Sequence, residues 1–432
     1  MLDIQTIREN PERVAQAAEQ KGYKVDVKHL LEVDEERKQL IKQVELLRQK
    51  RNEISSKTKG NKPDQLVIDA GKQIKIELAE RENYLKEIDA EWLKLIKSVP
   101  NLPTEDVPIG MSEDDNQVAK TVGDIPKFDF EARTHWEIAE MRGWIDKERA
   151  SKVSGSRFAY IKGDMVKLQW SILLFALDFL TDEEALKKVI ANNNLDVSSK
   201  PFIPVLPPLM LKTEMYDAMD RLEPRDDRYK IEGEELWLQG SAEHVLGSMH
   251  ADEIFNEKDL PVRYAGFATS FRREAGTYGK DMEGIIRMHQ FDKLEMESLS
   301  TPETSLQEHL LMIAIQEHLM SELELPYRLI NKCTADIGKP NARGWDVEVW
   351  LPGQNKYRET HTADYMTDYQ ARRLQTRVKR QDGKIDFAHT NDATAFAMGR
   401  TMVAIIENYQ QSDGHIKIPK VLQKYAGGRE TL

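Results

Sequence analysis

Two stretches near the amino terminus, residues 33–54 and 74–95, carry apolar positions at alternating spacings of four and three residues. A polar run with glycine and proline, residues 55–63, separates them. One narrow apolar stripe at this spacing is typical of a coiled-coil helix. The pattern therefore predicts two helices of similar length joined by a turn. Their seam positions are Val33, Arg37, Leu40, Val44, Leu47, Arg51 and Ile54, and then Ile74, Leu78, Arg81, Leu85, Ile88, Trp92 and Leu95.

These two helices can pair with each other or with a second chain, and coiled coils more often join chains. Equal helix lengths on either side of one turn favour self-pairing into an antiparallel arm. At about 1.5 Å of rise per residue, about 25 residues give an arm of about 40 Å. The alternative interpretation, a coil that only joins two chains, predicts that loss of the coil yields monomers.

Basic side chains are concentrated around the predicted turn, where they outnumber the nearby acidic residues Glu53 and Asp64. The whole chain has a formal net charge of −12, so it gains nothing from non-specific attraction to nucleic acid. A basic end on a projecting arm can still contact a phosphate backbone locally. We therefore expect RNA contacts at Arg48, Lys50, Arg51, Lys57, Lys59 and Lys62.

A proline-rich segment follows the arm. Pro100, Pro103 and Pro108 predict a boundary between an arm domain, residues 1–100, and a second domain, residues 101–432. In the second domain, successive strands without regular intervening helices predict an α+β fold around a largely antiparallel sheet. No glycine-rich phosphate-binding motif follows a strand, which argues against P-loop and dinucleotide folds. The predicted strands are residues 202–206, 262–271, 285–296 and 347–351, and the predicted helices are residues 168–180, 306–323 and 401–409.

Composition narrows the class of protein. Of the 432 residues, 40% are hydrophobic and 31% are charged, and no apolar run approaches the length of a membrane span. The amino terminus shows no signal-peptide pattern. The single cysteine, Cys333, excludes an internal disulfide and a cysteine-based zinc cluster, and the histidine spacing fits no zinc motif. We therefore expect a cytoplasmic protein with no membrane partner and no zinc.

Two of the predicted strands form a hairpin whose polar face suits a nucleotide. A glycine-bearing loop joins residues 264–274 to residues 285–296. Strand alternation places Arg272 and Glu274 on one face. Arginine can bind phosphate, an aromatic ring can stack on a base, and a carboxylate can accept a hydrogen bond from an amino group. The alternative interpretation is that these polar residues form a solvent-exposed sheet face that binds no ligand. The corresponding face of the second strand carries Arg287, His289, Phe291, Lys293 and Glu295.

A second candidate anion site lies near the carboxyl end, where Gly399-Arg400 precedes a predicted apolar helix. The free N–H groups at a helix amino terminus attract anions, and an arginine there adds a full positive charge. Arg400 is therefore a candidate phosphate ligand, although such arginines are common.

Taken together, these features resemble the seryl-tRNA synthetases, a family of the class II aminoacyl-tRNA synthetases. Residues 271–276 (Phe-Arg-Arg-Glu-Ala-Gly) with residues 286–295 (Ile-Arg-Met-His-Gln-Phe-Asp-Lys-Leu-Glu) resemble motif 2 of class II. Gly399-Arg400 with residues 407–414 resembles motif 3 and the tail that follows it. The resemblance covers essentially the whole chain. It implies a class II catalytic domain built on an antiparallel sheet, an arm that binds tRNA, and a homodimer.

The resemblance also implies a two-step reaction. Serine and ATP form seryl-adenylate and pyrophosphate, and the seryl group then passes to the 3′ end of tRNA(Ser), with tRNA(Sec) as a second candidate acceptor. Arg272 and Arg400 would be catalytic through the α- and γ-phosphates, and Glu359 and Thr362 would bind Mg²⁺ with ATP. The implied ATP-binding residues are Arg272, Arg273, Glu274, Phe291, Glu359, Thr360, His361, Thr362 and Arg400, and the implied serine-binding residues are Ser241, Ala242, Glu243, Arg272, Glu295 and Thr394.

The chain departs from the family pattern near the implied serine contacts. Ser241 stands where threonine is usual, and Asp392 stands where asparagine begins the usual Asn-Gly-Ser-Gly. Thr394 keeps the hydroxyl of that motif, whereas Asp392 adds a charge. Residues 361–365 differ from the usual Ser-Ser-Cys-Ser-Asn, and residues 216–229 replace the usual Gly-Thr-Gly-Gln-Leu-Pro-Lys-Phe. These changes bear on serine contact more than on activation chemistry.

Two other functions remain open from the sequence. A catalytically reduced relative would bind RNA through the arm without activating an amino acid, but the retained arginines and carboxylates argue against it. A relative that charges a carrier protein would lack the arm. The amino acid that supports ATP–pyrophosphate exchange would distinguish these functions.

Overall fold

The computed structural model describes residues 1–57, 64–275 and 284–432, which form two compact units, Met1–Leu102 and Pro103–Leu432. Helix α4 of the first unit ends at Ser98, because the residue before a proline, here Val99, is disfavoured in helical conformation. The helices of this unit are α1 (Ile4–Glu9), α2 (Pro11–Gln20), α3 (Val27–Lys57) and α4 (Gln65–Ser98).

Helices α3 and α4 pair with each other along the predicted seam and run antiparallel. The ion pairs Arg37–Asp89, at 2.6 Å, and Arg48–Glu82, at 2.7 Å, show the direction, since rising numbers on α3 meet falling numbers on α4. The prediction of a helical, self-paired arm is therefore confirmed. Its buried seam residues are Val33, Leu40, Val44, Leu47, Leu78 and Ile88.

The polar seam positions keep water contact while the apolar ones are buried. Arg51 and Arg81 are exposed, and the guanidinium of Arg37 lies 4.6 Å from the ring centre of Trp92. Of the basic residues expected to contact RNA, Arg48 and Lys50 are also exposed, and Lys57 is the last residue of α3. Lys59 and Lys62, with the rest of residues 58–63, lie outside the described residues.

The second unit is built on an eight-stranded sheet with the order β1-β10-β11-β12-β15-β9-β8-β4. All neighbours in this sheet pair antiparallel except β4 and β8, which are parallel. The predicted α+β class is confirmed. The strands of the unit are β1 (Gln117–Val122), β2 (Ile145–Asp146), β3 (Tyr160–Ile161), β4 (Ile203–Val205), β5 (Met210–Lys212), β6 (Leu236–Leu238), β7 (Ile254–Asn256), β8 (Val262–Phe271), β9 (Gln290–Ser300), β10 (Tyr327–Asn331), β11 (Arg343–Leu351), β12 (Lys356–Thr367), β13 (Arg377–Lys379), β14 (Ile385–Phe387) and β15 (His389–Ala397).

One face of the large sheet is packed against helices, and the other carries polar side chains. On β9, Leu294 and Met296 enter the core with residues of α7, α11 and α13, while Glu295 and Glu297, which alternate with them, point to the opposite face. The site therefore lies on the sheet face away from this core. The helices of the unit are α5 (His135–Arg142), α6 (Lys147–Ser154), α7 (Asp164–Leu180), α8 (Glu183–Asn192), α9 (Thr213–Ala218), α10 (Glu243–Ser248), α11 (Ser305–Glu322), α12 (Tyr369–Leu374), α13 (Met398–Asn408) and α14 (Lys420–Gln423).

The predicted hairpin differs from the observed one at its loop end. Strand β8 ends at Phe271, so Arg272 and Glu274 lie beyond the strand, and β9 begins at Gln290 rather than at residue 285. The backbone of Glu274 is left-handed, with φ of 54°, which breaks strand alternation there. Residues 276–283 of this connection lie outside the described residues. Within the described ranges, none of the helices is both long and apolar enough to span a membrane.

Candidate functional site

A cavity of about 340 Å³ opens on the polar face of the sheet, a size typical of small-molecule sites. Strands β9, β12 and β15 supply its floor, and residues around the loop end of the hairpin supply one wall. Its charged and hydroxyl-bearing lining residues are Arg221, Glu243, Arg272, Glu274, Arg287, Lys293, Glu295, Glu359, Thr360, Thr362, Asp364, Asp392, Thr394 and Arg400.

At one end of the cavity, the carboxylate of Glu295 gathers several polar partners. The Ser241 hydroxyl donates to Glu295 Oε1 at 3.2 Å, the Thr394 hydroxyl donates to the same oxygen at 3.4 Å, and Lys293 forms an ion pair with it. Burial, opposed by Lys293, raises the pKa of Glu295 to about 7. This end is therefore built to recognise a small group that carries hydrogen-bond donors.

Glu243, at the first turn of α10, faces the same end of the cavity. Burial alone would raise the pKa of Glu243, but the cations of Lys293 and Arg221 hold it well below its usual range. Glu243 is therefore a carboxylate at neutral pH. Two buried acids with opposite pKa shifts thus lie side by side, and a substrate ammonium group would satisfy both.

Arg272 and Phe291, which also line the cavity, form a cation–aromatic pair. The Arg272 guanidinium lies 5.3 Å from the ring centre of Phe291, and its Nε donates to the carbonyl of Gly240 at 3.0 Å. Glu274 accepts from Arg287 at 2.5 Å. A fixed guanidinium beside an aromatic ring and a carboxylate is suited to hold the phosphate, ring and amino group of a nucleotide.

A third cluster of side chains, Glu359, Thr362 and Arg400, links strand β12 to the start of helix α13. Arg400 donates to the carbonyl of Glu359 at 3.0 Å and to Glu359 Oε1 at 2.9 Å. Thr362 donates to the same Oε1 at 3.5 Å. Partial desolvation in the cavity opposes ionisation of Glu359, whose side chain is 46% exposed, but Arg400 and Lys332 lower its pKa to about 2. Glu359 is therefore ionised at neutral pH, beside an arginine in the first turn of a helix.

The structure brings most of the predicted nucleotide- and serine-contacting residues to this one cavity, and leaves four outside its lining. Ala242 is buried beneath it, and Ser241 contributes through Glu295 and Lys293. Arg273 is exposed. His361 was expected to contact ATP, but its ring lies 5.5 Å from the core residue Phe396, on the other face of the sheet. Burial lowers the pKa of His361 to about 3, so it is neutral.

Sequence reasoning missed Arg221 and Asp364 and left Lys293 and Arg287 without an assigned role. Arg221 lies in residues 216–229, the segment that departs from the family pattern, and its side chain lines the cavity. Asp364 lies in the divergent residues 361–365. Charge is the signal that could have indicated both residues. Each is an ionic residue in a segment that departs from the family pattern and lies close in sequence to implied site residues.

Comparisons with known proteins agree with this fold. Residues 1–103 match the seryl-tRNA synthetase N-terminal domain, and residues 228–409 match the tRNA synthetase class II core domain (G, H, P, S and T). Over 438 residues the chain is 37% identical to the serine–tRNA ligase of Nitrosopumilus maritimus, with all of both chains covered. The chain belongs to the seryl-tRNA synthetase family. The resemblance seen in the sequence motifs is therefore confirmed.

Other members of the seryl-tRNA synthetase family support the same conclusion. The serine–tRNA ligase of Pseudothermotoga lettingae is 39% identical over 435 residues, which cover 99% of each chain. The crystal structure of seryl-tRNA synthetase from Pyrococcus horikoshii complexed with ATP superposes with a TM-score of 0.88 at 36% identity, covering 100% of this chain and 99% of that one. The class II catalytic fold with a helical arm is thus shared along the full length.

Proposed function

We propose that this chain activates L-serine with ATP and transfers it to tRNA(Ser), with tRNA(Sec) as a second candidate acceptor. The observation that carries the proposal is that one cavity holds a buried acid pair for a small amino acid, Glu243 and Glu295, beside the Arg272–Phe291 pair and Arg400. The full-length relatives named as serine–tRNA ligases support the choice of serine. We further propose a cytoplasmic homodimer.

In the first step, a carboxylate oxygen of serine attacks the α-phosphorus of ATP, and the bond from that phosphorus to the β-phosphate oxygen breaks. Seryl-adenylate and pyrophosphate result. The attacking group is already an anion, so no general base is needed, and catalysis consists of in-line positioning and charge neutralisation. We assign the α-phosphate to Arg272 and the γ-phosphate to Arg400. In the second step, a hydroxyl of the terminal adenosine of tRNA displaces AMP from the seryl carbonyl.

The residues at Glu359 fit a magnesium ion that accompanies ATP. Mg²⁺ prefers oxygen ligands and usually takes only one or two from protein beside substrate phosphates. Glu359 is ionised, because Arg400 and Lys332 lower its pKa to about 2, and the Thr362 hydroxyl is next to it. Glu359 and Thr362 would hold the ion, which would add positive charge to the phosphates.

The first prediction tests activation directly. Serine should support Mg²⁺-dependent ATP–pyrophosphate exchange without tRNA, and Arg272→Ala or Arg400→Ala should each reduce its kcat/KM by about 10²-fold or more, since a charge-assisted phosphate contact is lost. Exchange is measured from labelled pyrophosphate entering ATP. Arg225→Met is the matched control, because Arg225 is exposed and pairs with Glu223 outside the cavity. Near-normal exchange in either alanine variant would refute the role assigned to that arginine. Absence of exchange with every amino acid would favour the catalytically reduced alternative.

The second prediction concerns pH. Burial, against the cation of Lys293, raises the pKa of Glu295 to about 7, so the group is mostly protonated below that pH and cannot accept the serine ammonium as an anion. Because kcat/KM reports ionisation of the free enzyme, kcat/KM for serine should fall about tenfold per pH unit below pH 7 and level off above it. His244 and His361 do not cause this limb, because burial keeps both pKa values far lower. Glu295→Gln should lose the limb. A flat profile from pH 5.5 to 8 in the native enzyme contradicts the assignment.

A further inference from the structure

Three acidic side chains form a row across the sheet at the proposed serine site, and two of them line the cavity. In the sheet register, Asp364 of β12 lies opposite Asp392 of β15, and Asp392 lies opposite Glu297 of β9. All three are buried. Like charges directly opposite each other destabilise a sheet, so this row needs compensation. We refer to Asp364, Asp392 and Glu297 as the acidic row.

Arg221 provides that compensation from outside the sheet. Its Nη2 donates to Asp364 Oδ2 at 3.3 Å, to Asp392 Oδ2 at 3.4 Å and to Asn341 Oδ1 at 3.4 Å. Burial would lower the pKa of Arg221, but Asp392 and Asp364 raise it, so the guanidinium stays charged. Glu297 is compensated differently, because burial and the carboxyl of Asp392 raise its pKa well above the ordinary value. Burial raises the pKa of Asp392 as well, against the cation of Arg221. Arg221 is thus the cation that contacts the two members of the acidic row that line the cavity, Asp364 and Asp392.

The balance of charge at this end of the cavity depends on Arg221. Four carboxyl groups line it, and Lys293, a second cation lining this end, is already engaged with Glu295 and Ser241. A low-dielectric cavity lined by several carboxyl groups attracts cations. The α-ammonium group is common to all amino acids, so it gives no selectivity. A second positive charge on the side chain would be attracted too, unless a fixed cation repels it. The four carboxyl-bearing residues are Glu243, Glu295, Asp364 and Asp392.

We propose that Arg221 is a specificity-determining residue that keeps amino acids with cationic side chains out of the serine site. Held by Asp364 and Asp392, its guanidinium lines the cavity at the end that we assign to the side chain of the amino acid. Neutral hydroxyl side chains meet no repulsion there. The inference rests on the proposed function, since it takes the Glu295 end of the cavity to hold the side chain of the amino acid.

Two ligands of equal length isolate the charge. Homoserine and 2,4-diaminobutyrate differ in bearing a hydroxyl or an ammonium group at the same position. Each is joined through an acyl-sulfamate to adenosine, so that the nucleotide part supplies affinity, and binding is measured by calorimetry. The measured quantity is the ratio of dissociation constants, that of the diaminobutyrate compound divided by that of the homoserine compound. This ratio should be at least about ten in the native enzyme, and Arg221→Met should lower it by about tenfold or more. Arg221→Lys, which keeps the cation, should stay within about threefold of the native ratio.

Asp364→Asn gives an independent arm of the test. It removes an anion that faces the same guanidinium, so the ratio should rise by about threefold or more. Arg225→Met, in the same segment but outside the cavity lining, should leave the ratio unchanged. A folded Arg221→Met enzyme with the native ratio overturns the inference, and, if that variant does not fold, an unchanged ratio in Asp364→Asn does so. Failure of the proposed function is recognised separately, because the native enzyme would then show no serine-dependent exchange.

Discussion

Alanine should be activated at least about 10³-fold less efficiently than serine, without any editing step. The two amino acids differ only in the hydroxyl, and in our assignment that group meets buried hydrogen-bonding partners. Glu295 is 1% exposed and Thr394 is 3% exposed. Without the hydroxyl, polar atoms of this group lose a partner in a place that water reaches poorly, and that cost is large.

The measurement is kcat/KM for ATP–pyrophosphate exchange with each amino acid, using alanine free of serine contamination. The KM for ATP should be similar in both assays, because the Arg272–Phe291 end of the cavity does not contact the amino acid side chain in our assignment. Activation of alanine within tenfold of serine would show that the Glu295 end is assigned wrongly. Ser241 and Asp392, where the chain departs from the family pattern, would then be examined first.

Replacing about residues 36–92 by a short linker should abolish charging of tRNA(Ser) while leaving serine-dependent exchange nearly intact. All residues that line the cavity belong to the unit Pro103–Leu432, whereas the coiled-coil arm belongs to the unit Met1–Leu102. The arm carries the exposed basic residues Arg48 and Lys50 in the carboxyl-terminal part of α3. Activation needs only the cavity, and recognition of the tRNA body needs the arm. Exchange, charging and molecular mass by light scattering are measured on the same variant.

A milder variant locates the contact within the arm. Neutralising the six basic residues around the turn should weaken tRNA binding and flatten its salt dependence, because fewer counterions are released. Neutralising three exposed lysines nearer the other end of the helices, Lys28, Lys86 and Lys94, is the matched control and should have less effect. If deletion of the arm instead removes exchange, charging and dimerisation together, the coil serves mainly to join chains. The six residues are Arg48, Lys50, Arg51, Lys57, Lys59 and Lys62.

The sequence by itself determined those features that follow from local periodicity. The arm is the clearest case, since a heptad seam specifies which side chains of α3 and α4 are buried wherever the helices lie. The apolar and alternating pattern of residues 262–271 predicted strand β8 over its observed range, Val262–Phe271, although the predicted hairpin extended this strand to residue 274. The motifs around Arg272 and Arg400 likewise identified the family, because these residue types at these spacings do not depend on distant parts of the chain.

The tertiary structure alone decided which side chains of β12 reach the site. A β-bulge between Val347 and Glu348 in the register gives β12 an extra residue, Thr360. Beyond the bulge, alternation directs Thr362 and Asp364 to the cavity and His361 to the core. One extra residue in a strand reverses the facing of the residues after it, and no local pattern in residues 356–367 marks the bulge.

The tertiary structure alone also brought Arg221 to the acidic row. Asp364 and Asp392 become neighbours only through the pairing of β12 with β15, and Arg221 reaches them from a segment more than 140 residues earlier in the chain. A charge in an irregular segment has no periodicity from which its partner can be inferred. Burying the two facing carboxyl groups of Asp364 and Asp392 is costly unless a cation contacts them both. Only the folded chain determines which cation does so.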